Sequence, residues 1–197
     1  MSVLTEQTTG RPQRRPEEKR ARLLAAARTA FSATGYGASV HEICQAASVG
    51  IGTFYHQFPD KSDLMRFLMD EEHQYRVRAF DALAVRGAED LSAEVARIIS
   101  GSDPGLLRAM IEACGTDEKL RDFAREVRKE TRERLAATLE RAREARGVRN
   151  ATLDASTAAW ATLVMGDATV DPAGSTGFEK AIAVLAFAEA NGARVRA

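Results

Sequence analysis

The sequence is poor in the residues that cross-link, span or catalyse. Two cysteines, Cys44 and Cys114, stand in 197 residues, each inside an apolar helical pattern, which predicts reduced, buried, inert thiols and a cytoplasmic chain. No apolar run approaches the roughly 20 residues that cross a bilayer, and no apolar h-region follows the amino terminus, so neither a membrane partner nor a secretion signal is expected. Histidine is scarce too. His41, His56 and His73 are scattered, and His41-Glu42 lacks the second histidine four positions after the first that a zinc-protease helix needs. No glycine-rich phosphate loop follows a strand, and there is no nucleophile elbow. No metal, no cofactor and no catalytic group is therefore expected, and an all-helical enzyme is the outlying alternative. Strand alternation of useful length is missing, as is any repeat of about 20 to 50 residues.

An excess of one charge is also lacking, since 28 Lys and Arg balance 28 Asp and Glu. The balance is uneven along the chain: residues 1–61 carry 8 basic against 5 acidic residues, a net +3, and the remainder a net −3. That alone is a weak pull toward nucleic acid.

What is present is helical, and its most informative stretch is residues 35–64. Ser39-Val40-His41-Glu42 is a capping box that starts a helix at residue 40. Val40, Ile43, Cys44 and Ala47 form its inward face. The tetrad Ala47-Ser48-Val49-Gly50 breaks the pattern: Val49 is placed to plug an angle between two helices, and Gly50 offers the backbone freedom for a turn. The next helix, about Ile51 to Phe58, stops at Pro59. Helices this short are marginal in water, so Phe54 and Phe58 must hold it from inside. The face bearing Ile51, Gly52, Thr53, Tyr55, His56 and Gln57 is left for another partner.

Such a face suits the major groove of a duplex. Gly52 would allow close backbone approach, Thr53 offers a hydroxyl and a methyl to a phosphate or base edge, and Tyr55 and Lys61 stand at phosphate range. The segment from about Lys19 to Leu68 resembles the DNA-binding domain of the TetR family of bacterial transcriptional regulators. Leu23-Leu24-Ala25-Ala26-Ala27, Phe31, Gly35-Tyr36, Ile43, Ala47, Val49, Gly52-Thr53-Phe54-Tyr55 and Phe58-Pro59-Asp60-Lys61-Ser62-Asp63-Leu64 carry the resemblance. It implies phosphate contacts from Ser39, Thr53, Tyr55 and Lys61, and base reading near Ile51 and His56. Three departures stand out: Ser48 where the turn usually has glycine, Gly50-Ile51 where serine and a polar residue are common, and Gln57 where histidine is frequent. Ser48 implies slight strain, and Ile51 has two readings, a contact to a thymine methyl or a cover for the turn.

Residues 1–16 lack an apolar stripe and are expected to be disordered in isolation. Their Arg11, Arg14 and Arg15 fit either an arm lying on DNA or a solubilising tail. A helix-turn-helix domain is assigned to residues 17–62, with the motif at about 39–58, and residues 63–197 to an all-α bundle. Its helices are expected at about Lys61–Val85, Leu91–Ile99, Pro104–Ala113 and Thr116–Arg146, the last ended by Gly147.

Two further helices follow. The last has two apolar stripes, with Phe178, Ile182 and Leu185 on one, and small residues such as Ala158 and Ala159 permit close approach, which suits a four-helix seam between two copies. A monomer covering both stripes internally is the alternative; the resemblance also implies a dimer through the last two helices. By analogy with the family, the middle bundle would hold a small-molecule effector, with Tyr75, Met110, Phe123, Val127, Trp160 and Val164 as walls and His73, Arg108, Glu112 or Asp167 as polar anchors. Each of these residues reads equally as ordinary core. The expected function is a sequence-specific, homodimeric repressor released from an operator by an unknown small molecule. A DNA-binding regulator without such an effector, governed by a protein partner or by its own abundance, is the runner-up.

Overall fold

The computed structural model describes residues 14–86 and 91–145. Among them are seven α-helices: α1 (Arg14–Thr34), α2 (Val40–Ala46), α3 (Ile51–Gln57), α4 (Lys61–Arg86), α5 (Leu91–Ser100), α6 (Pro104–Thr116) and α7 (Glu118–Ala145), with a single 3₁₀ turn at Gly35–Gly37. The described residues are therefore all-α, as the absence of strand alternation implied. Helix α1 starts at Arg14, inside the stretch read as an arm, so Arg14 and Arg15 belong to its first turn. Arg11 lies outside the described residues, as do Trp160, Val164 and Asp167 and the seam residues Ala158, Ala159, Phe178, Ile182 and Leu185.

Local chemistry sets the helix ends. The capping box is complete: the Glu42 N–H donates to Ser39 Oγ at 3.2 Å, and the Ser39 N–H donates to the Glu42 carboxylate at 2.7 Å. Asp60 accepts from the Asp63 N–H at 2.8 Å to open α4. Asp103, followed by Pro104, caps α6 through Gly105 and Leu106. Asp117 closes α6 with its own N–H and opens α7 with its side chain.

The turn between α2 and α3 carries its strain at Ser48, as expected, but asks no special backbone freedom of Gly50, contrary to expectation. Gly50 has φ −72°, an ordinary extended value; the left-handed residue is Ser48, at φ 53°. Its N–H donates to the Gln45 carbonyl at 3.1 Å and the Val49 N–H to the Cys44 carbonyl at 3.0 Å. That is a Schellman ending, which sends Val49 back against the core but demands positive φ one residue past the helix cap. Only a residue at that position can reverse the chain in time for Val49 to turn inward, so the constraint falls on Ser48 and not on Gly50. Ser48→Gly is therefore expected to raise stability by about 1 kcal/mol, the order of the left-handed penalty for a residue with Cβ, visible as a melting temperature higher by a few degrees.

One apolar cluster extends across residue 62. Leu23, Ala27 and Phe31 of α1, Ile43 and Cys44 of α2, Phe54 of α3, and Leu64, Met65 and Leu68 of α4 form one apolar cluster. The same cluster includes Leu106, Ala109, Met110 and Ala113 of α6 and Leu120 of α7. A second cluster joins Phe80 and Leu83 of α4 to Val95 and Ile98 of α5 and Leu135 and Leu139 of α7. Helices α4 and α7 run in the same direction, since His73 meets Thr131, Asp81 meets Arg134 and the Phe80 carbonyl meets Thr138.

Several caps are carboxylates that must stay ionised. Hydrogen bonding holds three below the ordinary range: Asp117 mainly through the Ser62 hydroxyl, Asp103 mainly through the Leu106 N–H, and Glu42 mainly through the Ser39 N–H. Carboxyls depressed in the folded state contribute stability that is complete above their unfolded values, about 4, and is lost as pH falls through the folded values. Thermal melts should therefore be flat from neutral pH to about 5 and fall steeply below about 4. Asp117→Asn should soften that acid limb; an unchanged limb would contradict the assignment.

Candidate nucleic-acid interface

Helix α3 is two turns long, and its two sides have opposite environments. Phe54 is fully buried and Phe58 nearly so, while Ile51 and Tyr55 are 50 % and 55 % exposed. Burying a phenylalanine contributes about 2 to 3 kcal/mol, so these two rings fix a helix too short to hold itself. Phe54 meets Phe58 at 5.9 Å between ring centroids, Phe58 meets Phe67 at 6.1 Å, and Tyr55 stands edge-on to Phe54 at 5.3 Å. Arg20 of α1 completes the anchor. Its guanidinium carbon lies 4.4 Å from the centroids of both Phe58 and Phe67, and it donates to the Gln57 carbonyl at the end of α3. Sequence reasoning missed Arg20, because nothing local marks an arginine that acts across 37 positions.

The outward face comprises Ile51, Gly52, Tyr55 and His56, all exposed, with Thr53 and Gln57 half-buried at its margins. A Cβ at Gly52 would meet nothing within 4 Å. Packing inside the chain thus gives no reason for glycine there. The small residue leaves room on the outside, where a duplex backbone can approach. His56 Nδ1 and the Gln57 amide lie 3.4 Å apart. Ser39, expected at a phosphate, is exposed, and its hydroxyl is engaged with Glu42 at 2.7 Å.

Lys61 has a role inside the fold that its charge alone did not reveal. Its ammonium donates to the carbonyls of Tyr36 at 2.7 Å and Ala38 at 3.3 Å and lies 4.2 Å from the Tyr36 ring centroid. The lysine therefore pins the α1–α2 connection to the start of α4, with one of its three N–H donors left beyond those two bonds. Tyr36 is held from the other side as well: its N–H donates to the Glu112 carboxylate at 2.9 Å and its hydroxyl pairs with Ser62 at 3.2 Å. Burial pushes the Tyr36 phenol above its ordinary range. Ser62 donates in turn to Asp117, so the head, the helix-turn-helix part formed by α1 to α3, and the α6–α7 corner share one hydrogen-bonded chain.

A cavity of about 250 Å³ lies among α4, α6 and α7, with Ile99 of α5 also on its wall. Met110 and Val127, two of the residues read as effector walls, line it, and Met69 and Leu107 extend the apolar wall. His73 lines it too. Buried at 4 % exposure, it meets Thr131 Oγ1 at 3.1 Å and Glu130 at 2.9 Å, a bond that holds the Glu130 carboxyl below its ordinary range. Four expected members stand elsewhere. Glu112 faces Tyr36 across α6, Arg108 donates to the Ser32 carbonyl, Phe123 lies under Arg66, and Tyr75 is 41 % exposed near Gly101. Helical spacing told which residues were apolar or charged but not which side of α4, α6 and α7 faced the void. Cys44 is buried and Cys114 half-buried on the cavity wall; both are free thiols that burial pushes above the ordinary range. No group of His, Cys, Asp and Glu among the described residues could hold a metal ion, and no described helix is long and apolar enough to cross a membrane.

The family model for bacterial regulatory proteins of the tetR family matches residues 23–67. No curated protein matches the chain. Among solved structures, it is similar to the Salmonella enterica GusR (TM-score 0.70, 20% identity, covering 94% of this chain and 98% of that one). It is likewise similar to a transcriptional regulator from Rhodococcus sp. Rha1 (TM-score 0.68, 23% identity, 92% and 99%). A third is the TetR family transcriptional regulator PfmR from Thermus thermophilus (TM-score 0.64, 20% identity, 88% and 99%). At such identities the structural likeness speaks for fold, while the sequence match speaks for the segment that contains α2 and α3. Residues 23–67 belong to the tetR family of bacterial regulatory proteins, and the chain that carries them has the fold of TetR-family transcriptional regulators.

Proposed function

We propose that the chain is a homodimeric repressor that reads an operator with α3 and is released when a small molecule enters the α4–α6–α7 cavity. The observation that carries the DNA-reading half is the division of α3: Phe54 and Phe58 are locked inside, while Ile51, Gly52, Tyr55 and His56 are left exposed by the described residues. Tyr55, Thr53 and Lys61 would meet phosphates, while Ile51 and His56 would face base edges.

Pairing two copies through the carboxy-terminal segment would set two recognition helices about 34 to 36 Å apart, one turn of the duplex. The cavity favours a small-molecule effector over control by a protein partner or abundance alone. Two links give it leverage on the head. Arg28 of α1 pairs with Glu71 at 2.8 Å and with Glu72 at 3.4 Å, and Glu72 is itself a cavity wall. Gly105 of α6 lies against the backbone of α1 at Ser32. An effector that binds one arrangement of α4 and α6 better than another would shift the heads by its differential affinity.

Three substitutions test the assignment in titrations of an operator duplex and a random duplex across salt. Tyr55→Phe and Lys61→Ala should weaken both duplexes alike, with Lys61→Ala flattening the salt slope and, because it also frees two carbonyls, costing about 1 to 2 kcal/mol of stability. His56→Ala should instead narrow the gap between the two duplexes, by about 1 to 3 kcal/mol. Unchanged affinity and selectivity in all three would overturn these roles, and sedimentation as a monomer would overturn the paired geometry.

A further inference from the structure

We propose that the cavity takes a small organic acid, an apolar body ending in one carboxylate, with the acid group held by the Arg76 guanidinium. This rests on the effector-released reading above and names the chemical class of the effector.

The walls divide by chemistry. Met69, Leu107, Met110, Ala124 and Val127 supply an apolar lining, which suits a hydrocarbon or a flat ring and not a sugar or a polar peptide. The charged members are unbalanced: Arg76, Arg121, Arg125 and Arg128 face Glu72 as the one acidic wall among the described residues. Glu72 is already engaged. One of its carboxylate oxygens pairs with Arg28 at 3.4 Å and the other accepts from Ser102 at 2.6 Å. Arg125 pairs with Asp122 at 2.8 Å, and Arg121 donates to the Cys114 and Gly115 carbonyls.

Arg76 is the group that asks for a ligand. Its Nη2 donates to Ser102 at 3.1 Å, and its Nε, the one buried side-chain nitrogen or oxygen without a hydrogen-bond partner found among the described residues, is closed off from the void, so the guanidinium would meet a ligand through its Nη groups. A guanidinium answers best to a carboxylate, whose two oxygens match its fork of N–H groups. A neutral hydroxyl would accept one weaker bond, and an ammonium would be repelled. Size limits the body: at about 30 Å³ per water-sized group, the cavity holds about eight such groups.

Octanoate, 1-octanol and octylamine are therefore matched probes of equal chain length. Calorimetric titration of the full chain, without DNA, should show octanoate binding at least about tenfold tighter than octanol, with octylamine weakest. Arg76→Gln should lose at least about tenfold in octanoate affinity and leave octanol unchanged. Met110→Trp, which fills the apolar end, should weaken octanoate and octanol together, and its melting curve shows whether the fold has survived. Equal binding of acid and alcohol, octanoate affinity that survives Arg76→Gln, or no octanoate binding at millimolar concentration would each overturn the proposal. Because the readout contains no duplex, such a failure leaves the DNA-reading assignment standing, whereas loss of duplex recognition with octanoate binding intact would overturn only the latter.

Discussion

Gly52→Glu should abolish duplex binding, a loss of more than about a hundredfold or roughly 3 kcal/mol, while leaving the melting temperature unchanged or slightly higher. The two halves of this result have separate causes. Inside the chain a Cβ at Gly52 meets nothing within 4 Å, so no packing is disturbed. Replacing glycine within a helix gains up to about 1 kcal/mol in propensity, and a carboxylate in the first turn sits well with the helix dipole. Outside the chain the same side chain puts bulk and negative charge where the backbone of α3 would approach phosphates. Gel shifts paired with thermal melts measure both halves. A variant that still binds its operator would show that this face of α3 does not meet DNA.

The second large effect should come from a single methyl group at Gly105. A Cβ there would collide with the Ser32 carbonyl oxygen and come within 2.9 Å of the Ser32 Cα. Both atoms belong to the backbone of α1, so neither can swing aside, and α1 must part from α6. Gly105→Ala should cost about 3 kcal/mol, the upper end of overpacking penalties, and lower the melting temperature by about 6 to 12 °C. Gly115→Ala is the control, because nothing lies within 4 Å of its Cβ; it should leave stability intact. Duplex affinity of the Gly105 variant should fall as well, since α1 carries Arg20, which holds the end of α3. Equal melting of the two variants would refute the close crossing.

Legibility followed the range of the interactions. The capping box at Ser39 and Glu42 and the stop at Pro59 were both readable, because each is settled within four residues. The division of α3 was readable too, since Phe54 and Phe58 sit four apart beside a run of small and polar residues. The turn was harder. Ser48, Val49 and Gly50 announce a reversal and the resemblance marked Ser48 as strained, but that Gly50 needs no such freedom follows only from where α2 stops making bonds. Pairs formed across the fold had no local signature. Arg20 over Phe58, Lys61 on the Tyr36 carbonyl, and Glu112 against Tyr36 required the positions of α1, α4 and α6 to be known first. The cavity was the least legible feature. Met110 and Val127 face it, whereas Tyr75, Arg108, Glu112 and Phe123 do not, and only the rotation of each helix about its own axis separates the two groups.

The central claim is that α3 reads base sequence in a duplex. Selection of bound fragments from the host genome by the purified full chain at moderate ionic strength, followed by footprinting of the enriched fragments, tests it most directly. Enrichment of a defined site, protected on one side of the duplex in two stretches about one helical turn apart, is the predicted result. Recovery of fragments no different from the input pool would contradict it.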